Sequence, residues 1–195
     1  MSLDLDDNID LDAVHARALE HTHDVVAGIG EGQWSEPSVC EGWDVRFLVN
    51  HVVSGNWWVP ELVGGKSIAE VGDRLDGDVL GDDPVAAYDA SAEVAAEAFR
   101  GPGALERLVG VSYGPVPGSV YCGHRFLDVL IHGWDLAAST GQDTALPDDL
   151  VAACWAVVEP EQEALEASGM FGTQLAVAPD ADPETRLLGL LGRRA

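Results

Sequence analysis

The segment FLDVLIHGWDL (Phe126–Leu136) places ionisable side chains inside an almost continuously apolar run. Asp128 and His132 are four residues apart, so on a helix they project from the same face. A carboxylate among leucine, valine and isoleucine side chains must be paired, protonated or metal-bound. Zinc enzymes with an H-E-x-x-H helix hold their metal through the same i, i+4 spacing. The spacing therefore predicts either an intrahelical ion pair or half of a metal site.

A third candidate ligand lies in a second apolar segment, FLVNHVVSGNWW, where His51 stands between Val49 and Val53. Metal centres in helical bundles combine ligands from facing helices. His51, Asp128 and His132 are therefore the candidate ligands of a metal site. The residues alone leave an alternative open, in which Asp128 pairs with His132 and His51 is a core histidine with a hydrogen-bond partner.

Other polar residues near this pattern lead to weaker predictions. His124 is about 12 Å from His132 along a helix that rises ~1.5 Å per residue, so it is a second-rank candidate. Asp135 either orients the His132 imidazole or is an exposed charge near the helix end. Cys40 is an idle thiol in a loop, or a residue close to the site. Four tryptophans belong either to the wall of the site or to the core: Trp43, Trp57, Trp58 and Trp134.

The remaining histidines of the first helix, His15, His21 and His23, stand among charged residues and are predicted to face solvent. Cys122 and Cys154 are far apart in the sequence, and no C-x-x-C pair occurs. We therefore expect neither a disulfide framework nor a cysteine-based zinc site.

Helical patterns must position these side chains. We predict helices over 11–29, from Asp44 to about Pro60, over 85–100, over 120–140 capped by Ser119 and stopped by Gly141, over 148–167 with a bend at Pro160, and over 184–191. Residues 63–84 read as one long loop. Val109–Val111 and Leu175–Val177 are the candidates for one small ribbon. This order predicts an all-α bundle with long crossover connections.

The composition excludes several partner classes. Acidic residues number 34 against 10 basic ones, for a net charge of −24. Phosphate backbones and anionic membrane surfaces require clustered lysine and arginine, so we expect neither nucleic acid nor a membrane as a partner. No signal-peptide pattern opens the chain, which favours a cytoplasmic location. A homodimer is left open.

Two motifs also resemble a known family. CEGWDVRFLVNHVV is similar to the second helix, and PVPGSV followed by FLDVLIHGWDLAASTGQD to the fourth helix, of the DinB-like superfamily. The resemblance is to the branch that contains the metal-binding domain of mycothiol-dependent maleylpyruvate isomerases, in its short single-domain form. It implies a DinB-like four-helix bundle over residues 1–170, with a C-terminal tail over 171–195 that contains a short helix.

The resemblance also implies a function. The family binds a divalent metal, usually zinc or nickel, and its ligand positions fall on His51, Asp128 and His132. The isomerase branch carries glutamate where this chain has Asp128. A low-molecular-weight thiol, mycothiol, would be the cosubstrate of an S-transferase or isomerase that acts on a small electrophile. The alternatives are a metal-dependent hydrolase and a non-catalytic, stress-associated metal-binding protein. The sequence assigns no catalytic residue beyond the metal ligands.

Overall fold

A computed structural model describes residues 9–162, 173–178 and 180–194 of the chain. The described residues fall into two compact units, 10–144 and the part from 145 onward together with Ile9. The predicted boundary near residue 170 lies outside the described residues, so the division into 1–170 and 171–195 stays a prediction. No helix in the described part of the chain is both long enough and apolar enough to cross a membrane.

Helices dominate the first unit. They are α1 (Leu11–Ala27), α2 (Val45–Val63), the short α3 (Ile68–Val71), α4 (Pro84–Arg100) and α5 (Gly118–Thr140). One antiparallel hairpin, β1 (Leu108–Val111) and β2 (Gly114–Pro117), precedes α5. The long helices pack in a ring in which α1 contacts α5 and α4, and α2 contacts α4 and α5. The predicted all-α four-helix bundle with long crossovers is confirmed.

Local sequence signals set most helix ends. The Asp44 carboxylate accepts a hydrogen bond from the Phe47 N–H at 2.7 Å and caps α2 as predicted. Pro84 occupies the first turn of α4. Gly141 ends α5 in the left-handed conformation, with φ of 70°. The predicted long loop runs over 64–83 and is interrupted by α3, which a capping box between Ser67 and Glu70 initiates.

Two of the predictions for this unit are wrong. Ser119 does not cap α5, because the helix begins at Gly118, two residues before the predicted start at 120, and no side chain caps it. The ribbon pairs β1 with β2 rather than with Leu175–Val177. A two-residue connection and Gly114, with φ of 117°, close the hairpin locally, and a local closure costs far less chain entropy than a distant one.

The second unit contains α6 (Asp148–Val158), a 3₁₀ turn (Glu159–Glu161) and α7 (Pro183–Leu190). The Trp155 indole N–H donates to the Pro183 carbonyl at 3.0 Å, which connects the start of α7 to α6. The 3₁₀ turn stands where a bend at Pro160 was predicted, and the predicted continuation to residue 167 lies outside the described residues.

Candidate metal centre

The three predicted ligands meet between two neighbouring helices of the bundle. His51 projects from α2, and Asp128 and His132 project from α5. One carboxylate oxygen, Asp128 Oδ1, lies 3.4 Å from His51 Nε2 and 3.5 Å from His132 Nε2. The three ligand atoms all lie within 4.8 Å of one another. The structure therefore brings together every residue of the predicted set.

The distances from Asp128 Oδ1 to the two imidazole nitrogens are longer than usual for hydrogen bonds. They match the separation between two ligand atoms that bind the same metal ion. Hydrogen bonds from N–H to oxygen usually span about 2.7–3.2 Å, so 3.4 and 3.5 Å are long for them. Zinc–nitrogen and zinc–oxygen bonds of about 2.0–2.2 Å place neighbouring donors of a tetrahedral site roughly 3.4 Å apart. Two imidazoles and one carboxylate are also a donor set of catalytic zinc sites. The residues present fit a divalent metal.

Arg125, which the sequence analysis overlooked, holds the other oxygen of Asp128. Its Nη1 donates to Asp128 Oδ2 at 2.8 Å, while Nη2 donates to Asn56 Oδ1 at 3.1 Å and more weakly to the Val52 carbonyl. Burial would raise the pKa of the Asp128 carboxyl, but the Arg125 guanidinium, followed by His132 and His51, holds that pKa below its usual range. The Asp128 side chain is therefore an ionised carboxylate, and one of its oxygens accepts from Arg125.

Asp135 orients His132. Its Oδ2 lies 2.9 Å from His132 Nδ1, and the side chain is 1% exposed. The carboxylate accepts from Nδ1–H and leaves Nε2 as the nitrogen that faces Asp128. Of the two interpretations of Asp135, the orienting role is the one that fits. The Cys40 thiol donates to the same Oδ2 at 3.4 Å, so Cys40 does lie near the site.

Trp43 is the one predicted wall residue with ring contacts at the centre. Its ring centroid lies 5.0 Å from that of His51 and 6.1 Å from that of His132. The loop that carries it is fixed by hydrogen bonds from the Ser38 N–H and hydroxyl to the Trp43 carbonyl. Trp134 is instead buried in the core. Among the described residues, His124 belongs to neither group of converging ligand atoms, and its Nδ1 lies 2.6 Å from the Tyr113 hydroxyl.

One side of the centre opens into a cavity of about 510 Å³ that His51 lines. His51 is 38% exposed and Asp128 24%, whereas His132 is 13% exposed. The long loop after α3 forms the far wall, held to α2 by hydrogen bonds from Asn50 Nδ2 to the Gly77 carbonyl at 2.9 Å and from the Val79 N–H to Asn50 Oδ1 at 2.8 Å. The centre is thus accessible from the His51 side.

The prediction that the first-helix histidines face solvent is wrong for His15. Its side chain is fully buried, and neither ring nitrogen has a hydrogen-bond partner among the described residues. Desolvation, reinforced by the positive charges of Arg125 and Arg100, lowers its pKa to about 3. His15 is therefore a neutral core residue outside the candidate metal centre.

Comparison with known proteins shows which family the chain belongs to. The sequence profile of the mycothiol maleylpyruvate isomerase N-terminal domain matches residues 15–137, which include all three candidate ligands. The chain belongs to this family.

Relatives of this chain span nearly its whole length. Two uncharacterized proteins of Mycobacterium tuberculosis, MT0763 of strain CDC 1551 / Oshkosh and Rv0738 of strain ATCC 25618 / H37Rv, are each 35% identical over 184 residues. The match covers 92% of this chain and 95% of each relative. The similarity therefore extends over most of this chain and of both relatives.

A solved structure supports the fold. The crystal structure of a mutant of the mycothiol-dependent maleylpyruvate isomerase superposes with a TM-score of 0.58 at 17% identity. The superposition covers 74% of this chain and 66% of the isomerase, so this chain corresponds to slightly less than two thirds of that enzyme. The DinB-like bundle fold is confirmed.

Proposed function

We propose that this protein binds a divalent metal, zinc or nickel, through His51, Asp128 and His132, and uses it in a thiol-dependent S-transfer or isomerisation. The observation that carries the proposal is the convergence of the three ligand atoms within 4.8 Å of one another, beside the cavity that His51 lines. The supporting context is membership of a family named after a mycothiol-dependent isomerase. Mycothiol is therefore the proposed thiol, and its reaction partner a small electrophile.

The side chains around the centre have separable roles in this proposal. Asp135 fixes the tautomer of His132, and Arg125 reserves one oxygen of Asp128 so that the other faces the two imidazoles. Trp43 covers one side of both imidazoles, and the cavity beside His51 admits the substrates. When bound, the metal would supply a Lewis acid that lowers the pKa of a coordinating thiol toward neutrality.

The donor set favours a thiol ligand on charge grounds. Two neutral imidazoles and one carboxylate leave a divalent ion with net positive charge, and three protein ligands leave a position free in tetrahedral coordination. In either reaction the thiol proton passes to solvent and the sulfur adds to an electrophilic carbon of a double bond, whose π-electron pair moves to the neighbouring atom. A transferase protonates that atom from solvent and releases the adduct, whereas an isomerase returns the electron pair to re-form the double bond, breaks the carbon–sulfur bond and regenerates the thiol with a proton from solvent.

Metal content tests the ligand set. Purified wild-type protein should contain about one divalent ion per chain, and His51→Ala and His132→Ala should each remove most of it without unfolding the bundle. The matched control is His124→Ala, which removes a histidine from the same helix but away from the centre and should leave the metal content unchanged. If elemental analysis finds full metal in both site variants, the ligand assignment is wrong.

A second experiment tests the thiol. Cobalt-substituted protein should develop a sulfur-to-metal charge-transfer band when mycothiol is added, and S-methylated mycothiol, which lacks the free thiol, should give none. Loss of the band in His51→Ala would tie it to the centre. If cobalt loads normally but mycothiol and simpler thiols leave the spectrum unchanged, the thiol reaction fails while the metal site stands. The absence of nucleic-acid partners, the cytoplasmic location and the homodimer remain predictions from sequence.

A further inference from the structure

The cavity beside His51 has α2 on one side and the loop after α3 on the other. Three polar side chains on successive turns of α2 each donate a hydrogen bond to a backbone carbonyl of that loop. The pairs are Arg46 with Gly81 at 2.8 Å, Asn50 with Gly77 at 2.9 Å, and Ser54 with Leu75 at 3.1 Å. These donors hold the loop in place as a wall, so the other groups of the cavity decide which ligand it suits.

An aromatic ring is one of these groups. Phe47 lines the cavity and is 51% exposed. It precedes His51 by one turn of α2, so the two rings project from the same face of the helix. The Trp43 ring packs against it, with the ring centroids 4.8 Å apart. Because the face of an aromatic ring attracts cations, Phe47 favours a positively charged group in this cavity.

Carboxylates dominate the charge of the cavity. Asp44, Asp76 and Asp78 line it, and among the described lining residues Arg46 is the one lysine or arginine. Arg46 pairs with Asp78 at 2.8 Å, so no basic side chain of this wall balances Asp44 and Asp76. A cleft lined by one sign of charge concentrates ligands of the opposite sign. The cavity therefore attracts a cation and repels an anion.

The proposed metal would not oppose a cation in this place. Asp128 and a bound thiolate each contribute one negative charge, and together they would balance a divalent ion. The Arg125 guanidinium and the Asp135 carboxylate, which contact these ligands, also carry opposite charges. The carboxylates of the cavity therefore determine the sign of the field that a second substrate meets beside the centre.

On the basis of the proposed thiol reaction, we propose that the electrophilic substrate carries an ammonium group, which the cavity binds through Phe47, Asp44 and Asp76, and that anionic electrophiles are excluded. A volume of about 510 Å³ accommodates a small electrophile together with such a group. The preference for a cation comes from side chains of the cavity itself, so it can be measured by binding without metal or thiol.

Three unreactive probes test this preference on metal-free protein, in about 0.15 M NaCl, where the net charge of the molecule is screened beyond about 8 Å. The probes are succinimides whose nitrogen carries a trimethylammonioethyl, a 3,3-dimethylbutyl or a carboxyethyl group. The first two have the same shape and differ in charge. Nuclear magnetic resonance of the Asn50 side-chain amide follows binding. The cationic probe should bind about threefold to tenfold more tightly than its neutral isostere, and the anionic probe should not bind measurably.

Variants assign the preference to the cavity. Asp44→Asn removes a charge and keeps a good helix cap, and Asp76→Asn removes a charge from an exposed loop side chain. The two changes together, or Phe47→Leu alone, should reduce the advantage of the cationic probe over its isostere by about twofold or more. The matched control is Asp73→Asn, which removes a charge from the same loop outside the cavity and should leave the advantage unchanged.

The corresponding maleimides, which contain a double bond that a thiol attacks, extend the test to the reaction. Metal-loaded protein with mycothiol should accelerate addition to the cationic maleimide most, relative to the rate without protein. The proposal is overturned if no probe binds, if the neutral or the anionic probe binds as well as the cationic one, if Asp73→Asn reduces the advantage as much as the cavity variants do, or if the anionic maleimide is accelerated most. If the probes bind in the expected order but no maleimide reacts faster with protein, the thiol reaction fails and the preference of the cavity for ammonium stands.

Discussion

His132 uses its two ring nitrogens for different partners. Nε2 lies 3.5 Å from Asp128 Oδ1, while Nδ1 lies 2.9 Å from Asp135 Oδ2. Asp135 is nearly inaccessible and also accepts from the Cys40 thiol. A buried carboxylate that receives two donors has little freedom to rotate, so it fixes the imidazole plane as well as its tautomer. Asp135 should therefore influence the metal without binding it.

We predict that Asp135→Asn weakens metal affinity by about 10–100-fold, because the amide no longer offers a full carboxylate to His132 Nδ1–H. Asp128→Ala should weaken it by more, since it removes a ligand. Competition titration with a chromophoric chelator measures both, and Asp73→Asn, at an exposed loop position, is the control. An Asp135→Asn defect as large as that of Asp128→Ala would instead favour a centre made of Cys40, His132 and Asp135, whose ligand atoms also lie within 4.8 Å of one another.

His15 shows how charged neighbours in the sequence can mislead. Arg17, Glu20 and Asp24 suggested an exposed face, but His15 lies four residues after Leu11 and four before Leu19, and both of these are buried. That spacing puts it on the core side of α1, with its ring edge-on to Phe99 at 5.0 Å. The helical period, rather than the nearest charges, was the informative signal.

Burial of His15 predicts a pH dependence of stability. The folded pKa is about 3 and the ordinary value is 6.5, so below about pH 6.5 the unfolded chain takes up a proton that the folded protein refuses. This group should therefore cost about 2 kcal/mol of unfolding free energy between pH 8 and pH 5. Urea unfolding of metal-free His15→Leu should show a correspondingly smaller loss than wild type. The matched control is His124→Leu, and an unchanged pH dependence in His15→Leu would contradict the prediction.

Among the helices, α1 and α5 approach each other closely, and two residues at their contact allow this approach. The Thr22 hydroxyl donates to the Val129 carbonyl at 3.1 Å across this contact, in the buried core. A Cβ at Gly133 would lie 2.3 Å from Thr22 Oγ1. Gly133 directly follows the candidate ligand His132, so the close packing of the two helices also positions the centre.

We predict that Gly133→Ala destabilises the protein by about 1–3 kcal/mol through overpacking, although alanine favours a helix over glycine by about 1 kcal/mol. Urea unfolding measures the difference. Gly32→Ala, where a Cβ meets nothing within 4 Å, is the matched control and should be neutral. Adding Thr22→Ala to Gly133→Ala should recover part of the loss. If Gly133→Ala is more stable than wild type, the higher helix propensity of alanine outweighs the cost of overpacking against Thr22.

The helices of the bundle could be predicted from sequence because their signals are local. Caps such as Asp44 and Gly141 and the apolar period place each end within a few residues. The wrong start of α5 is a two-residue error at such an end. The strand predicted to pair with β1 was wrong for another reason. A four-residue strand carries almost no information about its pairing partner, and here the tight turn at Gly114 pairs β1 with β2.

The site was predictable only in part. Apolar surroundings made His51, Asp128 and His132 conspicuous, and the i, i+4 spacing placed two of them on one face. Arg125 carries the same signal, a charge in an apolar helix three residues before Asp128, and it could have been found that way. The contact between Cys40 and Asp135 joins a loop to a helix 95 residues later, and no local pattern encodes such a contact.

For the whole molecule, charge is the dominant feature. Thirty-four acidic residues against ten basic ones leave a net charge of −24 on 195 residues. Folding brings like charges together, so self-repulsion destabilises the compact state. The exposed ion pairs that the structure describes, such as Arg46–Asp78 at 2.8 Å, offset little of this, because water and salt screen the attraction between charges at the surface.

Screening of this repulsion should therefore stabilise the protein. We predict that the melting temperature rises between about 0.02 and 0.3 M NaCl, where the Debye length falls from about 20 Å to about 6 Å. Calorimetry on metal-free protein measures the change. A variant with Glu31, Glu41 and Glu97, all exposed, changed to lysine moves the net charge toward zero and should show a weaker salt dependence. A melting temperature that falls with NaCl, or a variant with the same salt response as wild type, would mean that local ion pairs govern the stability rather than the total charge.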